Sequence, residues 1–151
     1  MLPGRVVETK HYRNVMDCTL ALVADSANIS QEGKLNVLGS FDNINTAVFP
    51  CRHPQMVLVM RFDASRAEVG QTKQLEIRLL DPDGKTLGTV NGSFEVPDGE
   101  PGRRVTMGYI LPLQDVGFER EGDHSFNILI NGDDKSSVLI RITDSNTQVG
   151  E

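Results

Sequence analysis

Cys51 and His53, separated by Arg52, are the closest cysteine–histidine pair in the chain. A thiolate beside an imidazole can ligate zinc, or work as nucleophile and base. On an extended chain these two side chains share a face, yet they supply only two ligands. Cys18, His11 and His124 would have to reach them through folding to complete a set. Pro50 and Pro54 flank the pair, so this segment is expected to be a rigid connector between strands.

Acidic residues offer a second chemistry. The 151-residue chain carries 15 Lys and Arg against 21 Asp and Glu, a net charge of −6. The excess is uneven. Residues 1–75 hold eight basic against seven acidic side chains, whereas residues 76–151 hold seven against fourteen. Most of the later acids fall in turns. Calcium takes six to eight oxygen ligands, so Asp81, Asp83, Asp133 and Asp134 become calcium candidates if their loops meet at one end of the fold. The competing reading is that Asp and Gly suit turn backbones and keep the surface charged. No twelve-residue EF-hand loop is present to favour calcium.

Other catalytic patterns are thinner. The sequence has no GxSxG elbow and none of the glycine-rich loops that cradle phosphate. Carboxylates are plentiful, but nothing in the sequence sets two of them in an apolar cleft, as glycoside hydrolysis needs. Arg103-Arg104 reads as a solvated strand start. Six Phe, two Tyr and no Trp leave few stacking platforms. A net negative chain also lacks the cationic footprint of a nucleic-acid binder. No catalytic residue and no cofactor is therefore assigned, and neither nucleic acid nor membrane is expected as a partner.

The elements that must carry these residues follow a period of two. Leu75, Ile77 and Leu79 alternate with polar neighbours, as do Phe126, Ile128 and Ile130, and Val138, Ile140 and Ile142. Successive strand side chains point to opposite faces, so each run describes a strand with one buried face. Met56–Phe62 is apolar at nearly every position, as in a central strand. Thr19–Ala24 is short and lies in β-rich surroundings, which favours strand over helix. Asp81-Pro-Asp-Gly84 is a β-turn signal, and Asn131-Gly132 is a hairpin signal lengthened by Asp133 and Asp134. The expectation is an all-β protein: an antiparallel β-sandwich of about eight or nine strands, immunoglobulin-like or C2-like in appearance. Its domain spans residues 15–143, between an arm at 1–14 and a tail at 144–151. No secretory signal or membrane-length apolar run is legible, and two isolated cysteines suit a reducing compartment, so a cytoplasmic location is expected.

Five stretches carry a family resemblance: LALVADSANIS (20–30), EGKLNVLGSFDNI (32–44), FPCRHPQMVLVMRF (49–62), LEIRLLDPDGK (75–85) and FEREGDHSFNILINGD (118–133). In order and spacing they resemble a bacterial family catalogued as a domain of unknown function of the 6941 class. The resemblance covers most of residues 17–143 and implies an all-β sandwich, with no activity, cofactor or catalytic position to carry across. Within these stretches Gly39 interrupts a strand pattern, where glycine signals a bend, a bulge or a close backbone approach.

The functional expectation is a non-catalytic interaction or structural module that self-associates as a homo-oligomer, through an edge strand or the arm at 1–14. Two alternatives stand beside it. One is a small-ligand or calcium-binding sandwich using the acidic loops, and the other is a phage or particle structural subunit.

Overall fold

The alternating runs become strands of a two-layer sandwich. A computed structural model describes residues 15–148, with side chains as far as Asn146. The expected arm at 1–14 and the last three residues of the expected tail lie outside the described residues. Nine strands are described: β1 (Asp17–Ile29), β2 (Leu35–Phe41), β3 (Asn43–Thr46), β4 (Cys51–Ala64), β5 (Thr72–Leu80), β6 (Thr86–Glu95), β7 (Val105–Phe118), β8 (Gly122–Ile130) and β9 (Asp133–Asp144). One sheet has the order β2-β1-β4-β7 and the other β3-β9-β8-β5-β6. All pairs are antiparallel except β3 with β9, which run parallel. Beyond β9, Ser145–Gln148 form a single helical turn.

Between the sheets lies one main core. Leu58, Met60 and Phe62 of β4 meet Ile77 of β5, Ile128 of β8 and Ile140 of β9, all nearly inaccessible to solvent. Each such side chain contributes roughly 1.5–3 kcal/mol by leaving water. A smaller apolar cluster covers the outer face of the first sheet. Here β1 and β2 bend together at Asp25 and Gly39, and their tip folds back over β4. Val57 and Val59 are buried beneath it, packed by Ala27 and Leu35. The tip reaches as far as β7, where a Cβ added to Gly108 would touch Ile29 at 3.3 Å and Leu35 at 3.6 Å. Gly39 takes φ +71, and a Cβ there would collide with the Asp25 side chain. The glycine thus serves both as a bend and as a close approach.

Two expectations need correction. The Pro50–Pro54 segment is no connector: Cys51 to Ala64 is one long central strand, with Pro54 inside it. Pairing of β4 with β1 ends at Val57, opposite Ala24. At Pro54 the β1 side of the strand is therefore an edge, where a residue lacking an N–H is tolerated. The second hairpin is tighter than expected. Asn131 at φ 51 and Gly132 at φ 84 make a two-residue turn, and Asp133 and Asp134 already belong to β9, opposite Ile130 and Leu129. The last strand, β9, runs to Asp144.

Candidate functional site

The two sheets leave one side of the sandwich partly open. Edge strand β6 pairs only with β5, and its register places Gly88, Val90, Gly92 and Phe94 across from Leu79, Ile77, Leu75 and Lys73. These are its inward positions, and two of the four have no side chain. Lower down, the gap to edge strand β7 is sealed. Phe94 stacks on Phe62 with centroids 5.5 Å apart and tilts against Tyr109 at 5.6 Å. A Cβ at Gly92 would press on the Tyr109 hydroxyl at 3.1 Å, so the Tyr109 side chain reaches across from β7 and lies against β6 here. Higher up, a Cβ at Gly88 would meet nothing within 4 Å. There the sheets part around a groove of about 570 Å³.

The groove is chiefly apolar. Ile77, Leu79 and Phe126 reach it from one sheet, and Leu113, Val116 and Phe118 from the other. Its charged lining residues are Arg52 and Glu119. Arg52 is already engaged. Its Nε and Nη2 each donate to a different carboxylate oxygen of Asp115 at 2.8 Å, and Nη2 also donates to the Asp115 carbonyl at 3.1 Å. Hydrogen bonding to Arg52 holds the Asp115 carboxyl below its ordinary pKa. This fork clamps β7 where Asp115 adopts φ 57, at the rim of the groove. With one occupied guanidinium and one carboxylate, the lining provides apolar contact and two strand edges rather than an acid–base pair.

Two polar clusters lie elsewhere, and of their residues sequence reasoning singled out only His53. At the lower end Lys73 Nζ donates to Glu68 at 2.7 Å, and the Ser65 N–H and hydroxyl donate to the other carboxylate oxygen at 2.9 and 3.1 Å. Both charges are almost fully buried. Burial pushes the Glu68 carboxyl up, but the Lys73 and Ser65 hydrogen bonds and the Lys73 charge outweigh it and hold the pKa below its ordinary value. The pair is satisfied internally and closes the base of the core. At the β2–β3 corner, Asp25, Ser40 and His53 line a hollow of about 300 Å³. These are the residue types of a hydrolytic relay, yet no side-chain hydrogen bond joins them. His53 instead tilts against Phe41 at 5.5 Å.

The sequence-derived candidates are dispersed. Asp81 and Asp83 sit in the turn after β5, whose Leu80 pairs with Ser125. Asp133 pairs with Ile130 at the other end of β8. The five residue steps from Ser125 to Ile130 separate these acids by about 17 Å of strand. Asp81 is also committed locally, accepting from the Asp83 and Lys85 N–H groups at 2.9 and 2.8 Å, while Arg120 Nη2 donates to Asp83 at 2.7 Å. The zinc set is not assembled either. Cys18 pairs with Phe62 near one end of β4 and Cys51 begins the other end. His11 lies outside the described residues. His124 is buried edge-on to Phe118 at 5.1 Å, with Nδ1 3.2 Å from the Gly122 carbonyl and Nε2 without a partner. Among the described residues no group of three or more His, Cys, Asp or Glu is placed to hold a metal ion.

Fold and site together define an all-β sandwich with one open, apolar side. The chain belongs to the family of unknown function DUF6941, whose model matches residues 19–143. No curated protein matches it. Two solved structures show partial likeness. One is the Pseudomonas fluorescens alkylpurine DNA glycosylase AlkC bound to DNA containing an abasic site analog, with 13% identity and a TM-score of 0.44. The other is a beta-glucosidase from Listeria innocua in complex with isofagomine, with 7% identity and a TM-score of 0.46. The matches cover 84% and 82% of this chain, but only 30% and 16% of the respective structures. Among the described residues no helix is long and apolar enough to cross a membrane.

Proposed function

We propose that the domain is a non-catalytic interaction module that self-associates through its β6–β7 side. The observation that carries this reading is the apolar groove between two strand edges, each unpaired on its outer side. An unpaired edge offers a row of N–H and C=O groups to an incoming strand, and an apolar hollow beside it accepts that strand's side chains. The groove's charges do not argue for chemistry, since Arg52 is clamped to Asp115. We place the module in the cytoplasm. Cys18 and Cys51 are free thiols, and the eleven residue steps along β4 from Cys51 to Phe62, which pairs with Cys18, put them about 37 Å apart, far beyond disulfide reach.

Gly88→Leu tests the reading. Space is open at Gly88, so the added side chain fills the groove without a backbone clash. Sedimentation should show the wild-type chain self-associating with concentration, and Gly88→Leu remaining monomeric with an unreduced melting temperature. A wild-type chain that stays monomeric throughout the micromolar range overturns the proposal.

A further inference from the structure

We infer that the hollow at the β2–β3 corner binds a small organic cation, a primary ammonium carried on a short apolar body. This site is separate from the β6–β7 groove, which lies on the opposite side of the sandwich.

The hollow exists because two strands part. β1 pairs with β4 only as far as Ala24 and Val57, so the stretch of β4 that holds His53 has a free edge on that side. The β1–β2 hairpin turns away at Asp25 and Gly39, which lie between the register pairs Ala24–Ser40 and Ser26–Leu38. Between the departing hairpin and β4 is a space of about 300 Å³, at the small end of the range for ligand sites. Its walls are set by the fold. Phe41 crosses the gap and tilts against His53 at 5.5 Å, and Asn43 accepts from the Thr143 hydroxyl at 2.7 Å. The Asp25 side chain occupies the place where a Gly39 side chain would stand. A glycine at positive φ is thus what lets this carboxylate lie against β2.

The chemistry of the lining selects the ligand. Asp25, Ser40 and His53 come from three different strands, and among the described residues none of these side chains makes a hydrogen bond or an ion pair. A carboxylate, a hydroxyl and a neutral imidazole each offer a lone pair, whereas a primary ammonium has three N–H donors and no acceptor. No Lys or Arg side chain lines the hollow, so nothing there competes for the Asp25 charge. An incoming ammonium therefore breaks no internal pair and gains a charge-assisted hydrogen bond. Phe41 and Ile44, both partly buried against the core, leave an apolar wall for the carbon body. A metal ion fits less well. Asp25 and His53 are the only lining residues of the usual metal-binding types, short of the three protein ligands that even an open zinc site has.

The test titrates the isotope-labelled full chain with phenethylamine and follows amide shifts by NMR. The Gly39, Ser40 and Phe41 signals should move together and saturate in the millimolar range. Phenethyl alcohol and phenylacetate carry the same ring without the cation, and both should bind roughly tenfold more weakly or worse. Asp25→Asn keeps the size of the side chain over Gly39 and should weaken phenethylamine by a similar factor. Because the ligand series is compared on the wild-type chain, the proposal stays open to refutation even if that variant folds poorly. Equal binding of the alcohol and the amine overturns the ammonium as the recognised group. Zn²⁺ moving these signals while the amine leaves them in place overturns the organic cation in favour of a metal. Signals that stay fixed with every probe overturn the site, and leave self-association through β6–β7 untouched.

Discussion

The two long sides of the sandwich are closed by different means. On the β2–β3 side the chain itself makes the seam. β2 ends at Phe41 in one sheet and β3 begins at Asn43 in the other, with only Asp42 between them. The Asp42 carbonyl accepts from the Arg141 N–H at 2.8 Å, and Phe41 and Ile44 pack on the core. On the β6–β7 side the covalent link is the loop at the lower end, from Val96 to Arg104. Side chains must do the rest. Phe94 and Tyr109 suffice below, and Gly88 leaves the upper half without a plug. A covalent crossing holds two edges together along its length, whereas packing closes a seam only where side chains are present. The open half is therefore where apolar side chains and two strand edges remain uncovered.

Several perturbations test this contrast. The largest effect should come from Lys73→Met, at the base of the sealed half opposite Phe94. Removing the ammonium leaves the buried Glu68 carboxylate without its partner, and chemical denaturation should show a loss of about 3–5 kcal/mol. Replacing both members by apolar residues should recover most of it. The same pair sets an acid limit. Because the folded pKa of Glu68 lies below its unfolded value, its contribution is complete above the ordinary carboxylate pKa and disappears as pH falls through the lowered one. Glu68→Gln should flatten that part of the pH–stability curve.

A glycine on each side gives a sharper comparison. Gly39→Ala, at positive φ and against Asp25, should cost about 1–3 kcal/mol and loosen the folded-back β1–β2 tip. Gly88→Ala, with ordinary φ and open space, should instead stabilise by about 0.4–1 kcal/mol. Thermal melts of the two variants shifting in the same direction would contradict the account of the two sides. The smallest effect concerns calcium. With Asp81 held in its own turn and Asp133 at the other end of β8, millimolar Ca²⁺ should leave the melting temperature unmoved.

Much of the architecture was legible because strands report themselves locally. Leu75, Ile77 and Leu79 alternate as inward residues must, and the turn at Asp81–Lys85 has the hydrogen bonds its Asp-Pro-Asp-Gly sequence implies. Around Pro54 the sequence reads as a connector where the structure has β4, because a proline's tolerance depends on whether a neighbouring strand is present, and β1 departs before that point. Asp133 and Asp134 read locally as loop residues for a similar reason: that the two positive-φ residues before them already complete the turn depends on the strand opposite. The groove was invisible in the sequence. Gly88 and Gly92 break the apolar alternation that announces a strand, and a glycine's role depends on what faces it.

The sequence alone determined that this chain makes antiparallel strands with one buried face, where most of the turns fall, and that its acidic surplus sits toward its second half. Those properties follow from side-chain alternation, turn chemistry and charge, which act over a few residues. Only the tertiary structure decided that Gly92 meets Tyr109 while Gly88 meets empty space, that Lys73 and Glu68 pair in the interior, and that the acidic candidates stand at opposite ends. Each of these depends on which strands lie across from one another, and that is settled by packing two whole sheets rather than by any local stretch of chain.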